Sequence, residues 1–203
     1  MIMVGSGAQH ARSEVLSLAE MLNAPVTAFR GGRGIAPADH PLSVSSVEAY
    51  ELWGDTDVLI GIGSRCEMQA MRWRGMMDAS DRIAAPRKLI RIDIEPEEML
   101  RLKPDVGVLC DSTIGTSAIR DALASERFAI SGNRKRITDA RERAAEQVNQ
   151  IQPQVSYLDV IRKILPQDGI LVKDMCQIGY ASYFAWPVYE PRTYITSGTC
   201  QRL

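Results

Sequence analysis

The regular alternation of short apolar runs with amphipathic stretches constrains this chain most. Residues 2–4 read as a strand. Residues 8–22 read as a helix with Val15, Leu16, Leu18, Ala19 and Leu22 on one face, and residues 25–29 as the next strand. Residues 47–53 read as a short helix, 57–62, 88–94 and 106–110 as strands, and 112–124 as a helix. Strands that alternate with helices form βαβ units and a parallel sheet, because a parallel neighbour needs a crossover connection. The expected fold is therefore α/β, a doubly wound Rossmann-like sheet over residues 1–132.

A weak internal repeat fits this. "IMVGSGAQ" and "LIGIGSRC" are both apolar strands that run into Gly-x-Gly, with Gly5 and Gly7 in the first and Gly61 and Gly63 in the second. Such glycines stand at the carboxyl ends of strands, where open α/β sheets bind ligands. Neither copy is a full G-x-G-x-x-G, since His10 and Cys66 fill the third-glycine positions. A tight strand-to-helix turn with nothing bound is the competing reading. The loop "GGRGIAPADHPL" joins backbone freedom to abrupt stiffening: glycine admits positive φ and close approach, and proline fixes φ.

From residue 133 the composition turns polar and helix-prone, "NRKRITDARERAAEQVNQIQ", up to Pro153. Its mixed charges read as a solvated linking helix over residues 133–153. Residues 154–203 then open a second, incomplete α/β domain, with a helix at 157–165, a strand at 169–173, a helix at 178–186 and a strand at 193–195. A strand without neighbours leaves its edges unpaired, so residues 155–203 are expected to be mobile or to borrow contacts from another copy. A strand already at residue 2, and a last domain that stops at Leu203, read as cuts from a longer protein.

The net charge of −1 offers no electrostatic footprint for nucleic acid or an anionic membrane. No apolar run approaches the ~20 residues of a membrane span, and no secretory signal is visible, so a cytoplasmic location is expected. Cys66, Cys110, Cys176 and Cys200 lack zinc-ligand spacing and read first as small buried hydrophobes, with Cys176 as a possible exception.

Taken in order, these pieces resemble a known family. "GGRGIAPADHPL" is similar to the G-K-G-x-x-P-x-D-H-P-L signature in the central domain of thiamine diphosphate-dependent enzymes of the acetolactate synthase type. "IMVGSGA" resembles that family's opening strand and glycine turn. "DVLIGIGSR", "LIRIDIEPEE" and "VGVLCDS" resemble its later strands. "LPQDGILVKDMCQIGYASYFAW" and "PRTYITSGT" resemble the opening of its cofactor-binding domain.

The resemblance implies a nucleotide groove in those members that carry FAD or an adenine nucleotide. Gly5, Gly7 and Gly63 would let backbone approach a pyrophosphate, with Arg65 supplying charge. Asp93 and Ile94, then Asp111 and Ser112, would meet the adenosine end, and Phe29 and Arg30 would border the other end. Other members keep this domain as an empty spacer between subunits. Flavin-carrying members follow the strand-end arginine with acidic and basic residues and have a G-x-H-G turn after the D-H-P-L. Here Cys66-Glu67-Met68-Gln69 and Ser43-Val44-Ser45-Ser46-Val47 stand instead. "MRWRGMM", residues 71–77, reads as interdomain packing, a substrate or coenzyme A contact being the alternative. His40 reads as a structural hydrogen bond.

For the whole enzyme the resemblance implies thiamine diphosphate and Mg²⁺, decarboxylation or carboligation of a 2-oxo acid, and a homo-oligomer. Cys176 and Gln177 fall where the family brings residues against the diphosphate, with Ile178 in place of the synthases' histidine. Ser197-Gly198-Thr199 would begin the next glycine turn. The family's activating glutamate and its G-D-G-x-x-x-N metal loop are absent from the sequence. The expected identity is therefore an inactive piece of such an enzyme, which would need its amino- and carboxyl-terminal parts as partners. The alternative is a non-catalytic nucleotide-binding or interaction module.

Overall fold

A computed structural model of the protein describes residues 1–67, 88–126 and 133–196. The 71–77 segment, Ser197-Gly198-Thr199 and Cys200 lie outside the described residues. Six strands, β1 (Ile2–Val4), β2 (Val26–Ala28), β3 (Ser43–Val44), β4 (Val58–Ile62), β5 (Lys88–Asp93) and β6 (Val106–Leu109), form one sheet in the order β3-β2-β1-β4-β5-β6. Every pairing is parallel. The order reverses between β1 and β4, whose register sets Ile2 opposite Ile60 and Val4 opposite Ile62. That reversal is the topological switch point of a Rossmann sheet. The two copies of the internal repeat are therefore neighbours in space.

Strands β1 and β4 are apolar end to end because both faces of the sheet are covered. Met3, Leu59, Ile62 and Ile92 are fully buried. Helix α1 (Arg12–Leu22) buries Val15, Leu18 and Ala19 and packs on α4 (Ser112–Ala124). Residues 8–11, expected to open α1, are not α-helical: Ser6–Ala8 is a 3-10 turn, and Val15 N–H bonds Ala11 carbonyl only after it. The tighter turn sets Gly7 against Gly63 before the helix starts.

Two elements were not expected. The two-residue β3 is too short for any alternation to show. Helix α3 (Pro96–Arg101) carries ordinary start signals, with the Glu95 carboxylate accepting from Glu97 N–H and Pro96 in the first turn. Helix α2 (Ser46–Glu51) is held by a capping box between Ser45 and Glu48.

The linking helix α5 (Arg134–Val148) is not simply solvated. It buries Ile137 and Ala140 in the core of the Rossmann sheet and Ala144 in a second core, so three positions on one face tie two clusters together. The second core gathers Leu158 of α6 (Gln154–Ile164), Tyr183 and Phe184 of α7 (Gln177–Ala185), Trp186, Val188 and Tyr194. Strands β7 (Leu171–Lys173) and β8 (Tyr194–Thr196) pair in parallel beside it. Residues 155–196, expected to be mobile or to borrow contacts from another copy, instead find contacts within the chain. Ala38 N–H bonds Val188 carbonyl at 3.0 Å, and Arg12 pairs with Glu190. Gly34, at φ +88°, has the Glu190 carbonyl oxygen 2.2 Å from where a Cβ would stand. Ile164, Ile170 and Val172 on the outer side of this unit stay exposed.

Candidate functional site

The carboxyl ends of β1, β4, β5 and β6 stand side by side at the switch point, where open α/β sheets have their ligand crevice. At its centre two glycine turns meet backbone to backbone. A Cβ on Gly5 would lie 2.2 Å from Gly63 carbonyl oxygen, and one on Gly63, whose φ is +51°, 2.5 Å from Gly7 carbonyl carbon. Their N–H groups are committed inside the protein: Gly5 to Ile62 carbonyl (3.1 Å), Gly7 to Gly63 carbonyl (3.1 Å) and Gly63 to Ile92 carbonyl (2.8 Å). The close approach these glycines allow is thus of one turn to the other. Ser112 joins them, its hydroxyl donating to Gly7 carbonyl at 2.8 Å.

Asp93 ends β5, and its Oδ1 accepts from Glu95 N–H at 3.1 Å. Ile94, next to it, is 73% exposed, an unusual position for a β-branched apolar side chain at a strand end. Asp111 caps α4, accepting from Thr113 N–H at 2.8 Å, and stays open to solvent. Cys110 N–H bonds Asp93 carbonyl at 3.1 Å, which holds the β5 and β6 ends side by side. Asp93, Ile94, Asp111 and Ser112 therefore share one rim with the glycine turns.

The charge beneath this rim was not foreseen. Arg91, fully buried in β5, donates to Ser64 carbonyl at 2.7 Å and to Leu102 carbonyl at 3.3 Å. Its guanidinium lies 3.6 Å from Asp93 and 3.5 Å from Glu98. Glu98 also pairs with Arg65 at 3.3 Å and Arg101 at 2.7 Å. Partial burial works against the Glu98 carboxylate, but the Arg101, Arg65 and Arg91 guanidiniums win and hold its pKa below the ordinary value. Arg65 is shared further with Glu67 at 3.8 Å, so its charge is largely offset within the protein. Cys66, at φ +56°, turns its thiol inward under the same cluster, and burial pushes that thiol up to about 11. An arginine inside the apolar run "LIRIDI" was the signal for this network.

Phe29 and Arg30 stand apart, at the end of β2. Phe29 lies 5.5 Å, centroid to centroid, from Tyr183, and the Arg30 guanidinium is 4.9 Å from the Phe29 ring. The adjoining glycine loop is drawn to the first turn, with Gln9 Nε2 donating to Gly31 carbonyl at 2.7 Å. His40 makes a structural bond, its Nδ1 accepting from Leu42 N–H at 3.2 Å.

Cys176 and Gln177 sit at the amino end of α7. Cys176 Sγ accepts from Gly179 N–H at 3.3 Å, and Gln177 Oε1 accepts from Gln154 at 2.8 Å. The nine-residue helix is about 13 Å long. Its far end is held by Arg33, which donates to Ser182 carbonyl at 3.0 Å and to Trp186 carbonyl and lies 4.1 Å from the Tyr194 ring. The structure does not bring Cys176 and Gln177 to the Rossmann crevice. It links them to the glycine loop through the length of α7. Among the described residues no group of three or more His, Cys, Asp or Glu side chains is placed to hold a metal ion, and no helix is long and apolar enough to cross a membrane.

Comparison with known proteins fits this arrangement. Residues 1–119 match the family described as thiamine pyrophosphate enzyme, central domain. The chain is 26% identical to a probable 2-ketoarginine decarboxylase of Pseudomonas aeruginosa, over 96% of this chain and 35% of that protein. It is 21% identical to a 2-hydroxyacyl-CoA lyase of Oryza sativa, over 98% of this chain and 36% of that protein. It is 31% identical to a probable acetolactate synthase large subunit of Methanocaldococcus jannaschii, over 61% of this chain and 21% of that one. The chain spans about a third of the length of the first two relatives. With a match over more than half its length, on a six-stranded parallel sheet of Rossmann order, the chain belongs to the thiamine pyrophosphate enzyme family and carries its central domain.

Proposed function

We propose that this chain is the central domain and the first part of the cofactor-binding domain of a thiamine diphosphate- and Mg²⁺-dependent enzyme that decarboxylates or carboligates a 2-oxo acid. The observation that carries the reading is the family match over residues 1–119, on a chain that spans about a third of a relative named as a probable 2-ketoarginine decarboxylase and of one named as a 2-hydroxyacyl-CoA lyase. Thiamine diphosphate, when bound, supplies the electron sink for this chemistry, and protein supplies orientation. This chain's part is modest. Cys176 and Gln177 would border the diphosphate, but both side chains are engaged locally, and the described residues hold no metal cluster. The diphosphate, its cation and the activating carboxylate are assigned to parts of the enzyme beyond these residues. Exposed Ile164, Ile170 and Val172 would be covered there or by another subunit of a homo-oligomer.

Within the central domain the crevice takes the adenosine end of a nucleotide. Asp93 and Asp111 offer carboxylates to ribose or amine donors, and Ile94 offers an exposed apolar face for a base. A second reading, an empty spacer between subunits, draws support from the committed glycine N–H groups and the offset charge of Arg65. Calorimetric titration with ADP, FAD and coenzyme A separates the two. The nucleotide reading expects one clear binder, weakened about tenfold by Asp93→Asn, which keeps an acceptor for Glu95 N–H. No binder, or a binder indifferent to Asp93→Asn, favours the spacer.

A further inference from the structure

The two edges of the six-stranded sheet are finished differently. At the β3 edge Arg141 of α5 donates to the carbonyls of His40 (3.3 Å), Pro41 (3.0 Å) and Ser43 (2.9 Å), so a side chain occupies the acceptors there. At the other edge β6 pairs with β5 alone, and among the described residues no strand lies on its outer side. Cys110 N–H bonds Asp93 carbonyl at 3.1 Å. With the strand's period of two, Val106 and Val108 also turn their backbone groups to β5, and Gly107 and Leu109 turn theirs outward. Open edges usually carry a lysine or a proline that discourages pairing. β6 reads Val-Gly-Val-Leu and carries neither, with Val106 52% and Leu109 57% exposed.

Two charges bracket this edge symmetrically. Lys103 stands four residues before Gly107 and Asp111 four residues after it. Both are exposed, and neither makes an ion pair among the described residues. A two-fold axis through Gly107 sets a second copy antiparallel to the first, the isologous arrangement of a symmetric dimer. Gly107 then exchanges backbone bonds with Gly107 of the second copy, and Leu109 N–H faces the Asp105 carbonyl opposite. Val106 lies against Val108 of the second copy in the closer, non-hydrogen-bonded kind of pair, where β-branched side chains pack. Lys103 comes opposite Asp111. Backbone parity permits only slips that keep outward groups facing each other. Moving the axis to Val108 sets Asp105 opposite Asp111, carboxylate against carboxylate, and moving it to Val106 leaves Lys103 facing Leu109. Charge therefore selects one register.

We propose that β6 is a self-association edge: two copies of this chain join their β6 strands antiparallel about Gly107, with Lys103 of each against Asp111 of the other, and so extend two sheets into one. The edge belongs to the central domain alone and is independent of the proposed activity.

The test is sedimentation velocity on the 203-residue chain from about 5 to about 500 µM, with hydrogen exchange of single amides followed by NMR over the same range. A monomer–dimer equilibrium is expected within it. Protection of the Gly107 and Leu109 amides is expected to rise with concentration, while Val106 and Val108, already turned to β5, stay unchanged. Val106→Lys sets an ammonium at both symmetry-related positions of the edge and is expected to weaken the dimer at least about tenfold. Lys103→Glu, a change at an exposed residue that leaves the sheet untouched, is expected to weaken it about fivefold, and less in high salt. A chain that stays monomeric to about 500 µM overturns the proposal. So does a dimer that gives Gly107 and Leu109 no added protection, or one that either variant leaves as tight as wild type.

Discussion

The Arg33 guanidinium donates through Nη1 to Ser182 carbonyl at 3.0 Å, across 149 residues of chain, and so fastens the glycine loop of the Rossmann sheet to the last turn of α7. A cation at a helix carboxyl end satisfies orphan carbonyls and complements the helix dipole. Burial pushes this guanidinium's pKa down, and the hydroxyls of Tyr194, to which it is hydrogen-bonded, and Tyr183 push the other way. One side chain thus joins the central domain to the helix whose other end carries Cys176 and Gln177.

Replacing Arg33 is therefore expected to loosen residues 154–196 before it harms the sheet. Arg33→Met keeps much of the apolar stem but loses the charged hydrogen bonds, a cost of about 2–3 kcal/mol. Hydrogen exchange should show lost protection in α7 and unchanged protection in β4 and β5. Equal loss in both would mean that the two cores unfold as one.

The glycine turns make a sharper test of packing. Gly63→Ala is expected to cost about 3 kcal/mol or to prevent folding, because it adds a left-handed penalty to a backbone clash with Gly7. Gly54→Ala, at a position with nothing within 4 Å of the added Cβ, is expected to be within about 0.5 kcal/mol of wild type. Urea unfolding of the two variants checks both values.

Thiol chemistry should divide the cysteines by burial. Cys66 is buried with its pKa near 11, so only about one molecule in a thousand is thiolate at pH 8, and Cys176 is exposed. Alkylation with iodoacetamide followed by mass spectrometry should modify Cys176 long before Cys66. Modification of Cys66 at a comparable rate would mean that the turn at residues 63–67 opens readily.

The ion cluster at the rim should be visible in pH dependence. Glu98 has its folded-state pKa below the ordinary 4.5, so its stabilisation is present above that value and is lost as pH falls through the lower, folded value. Glu98→Gln should lower the unfolding midpoint at pH 7, and the difference should close on acidification below about pH 4. A difference that persists unchanged to lower pH would assign the effect to packing rather than charge.

Much of the fold was legible because its signals are local. Apolar runs bounded by turns located β1, β4, β5 and β6, and α4 ran over residues 112–124 as its periodicity implies. The two-residue β3 gave no period to read. α3 had its Glu95-Pro96 start signal, but it is a single short amphipathic turn that buries none of its residues. The linking helix misled because its polar composition outweighed three buried positions spaced along one face, Ile137, Ala140 and Ala144. At the site, glycines and aspartates at strand ends were visible in sequence. The purpose of Arg33 and Arg91 was not, since both depend on partners far along the chain: Ser182 and Trp186 for the first, Ser64 and Leu102 for the second.

The most direct test compares the 203-residue chain with the full-length enzyme from the same gene, using calorimetry with thiamine diphosphate and Mg²⁺ and an assay of carbon dioxide release from 2-oxo acids, pyruvate included. General acid–base groups are commonly worth roughly 10²-fold to 10⁴-fold in rate, and the described residues hold no metal cluster for a diphosphate. The expected result is saturable cofactor binding with carbon dioxide release by the full-length enzyme, and neither by the 203-residue chain. A full-length enzyme that binds no thiamine diphosphate and releases no carbon dioxide from any 2-oxo acid, or a 203-residue chain that does both alone, would contradict the account.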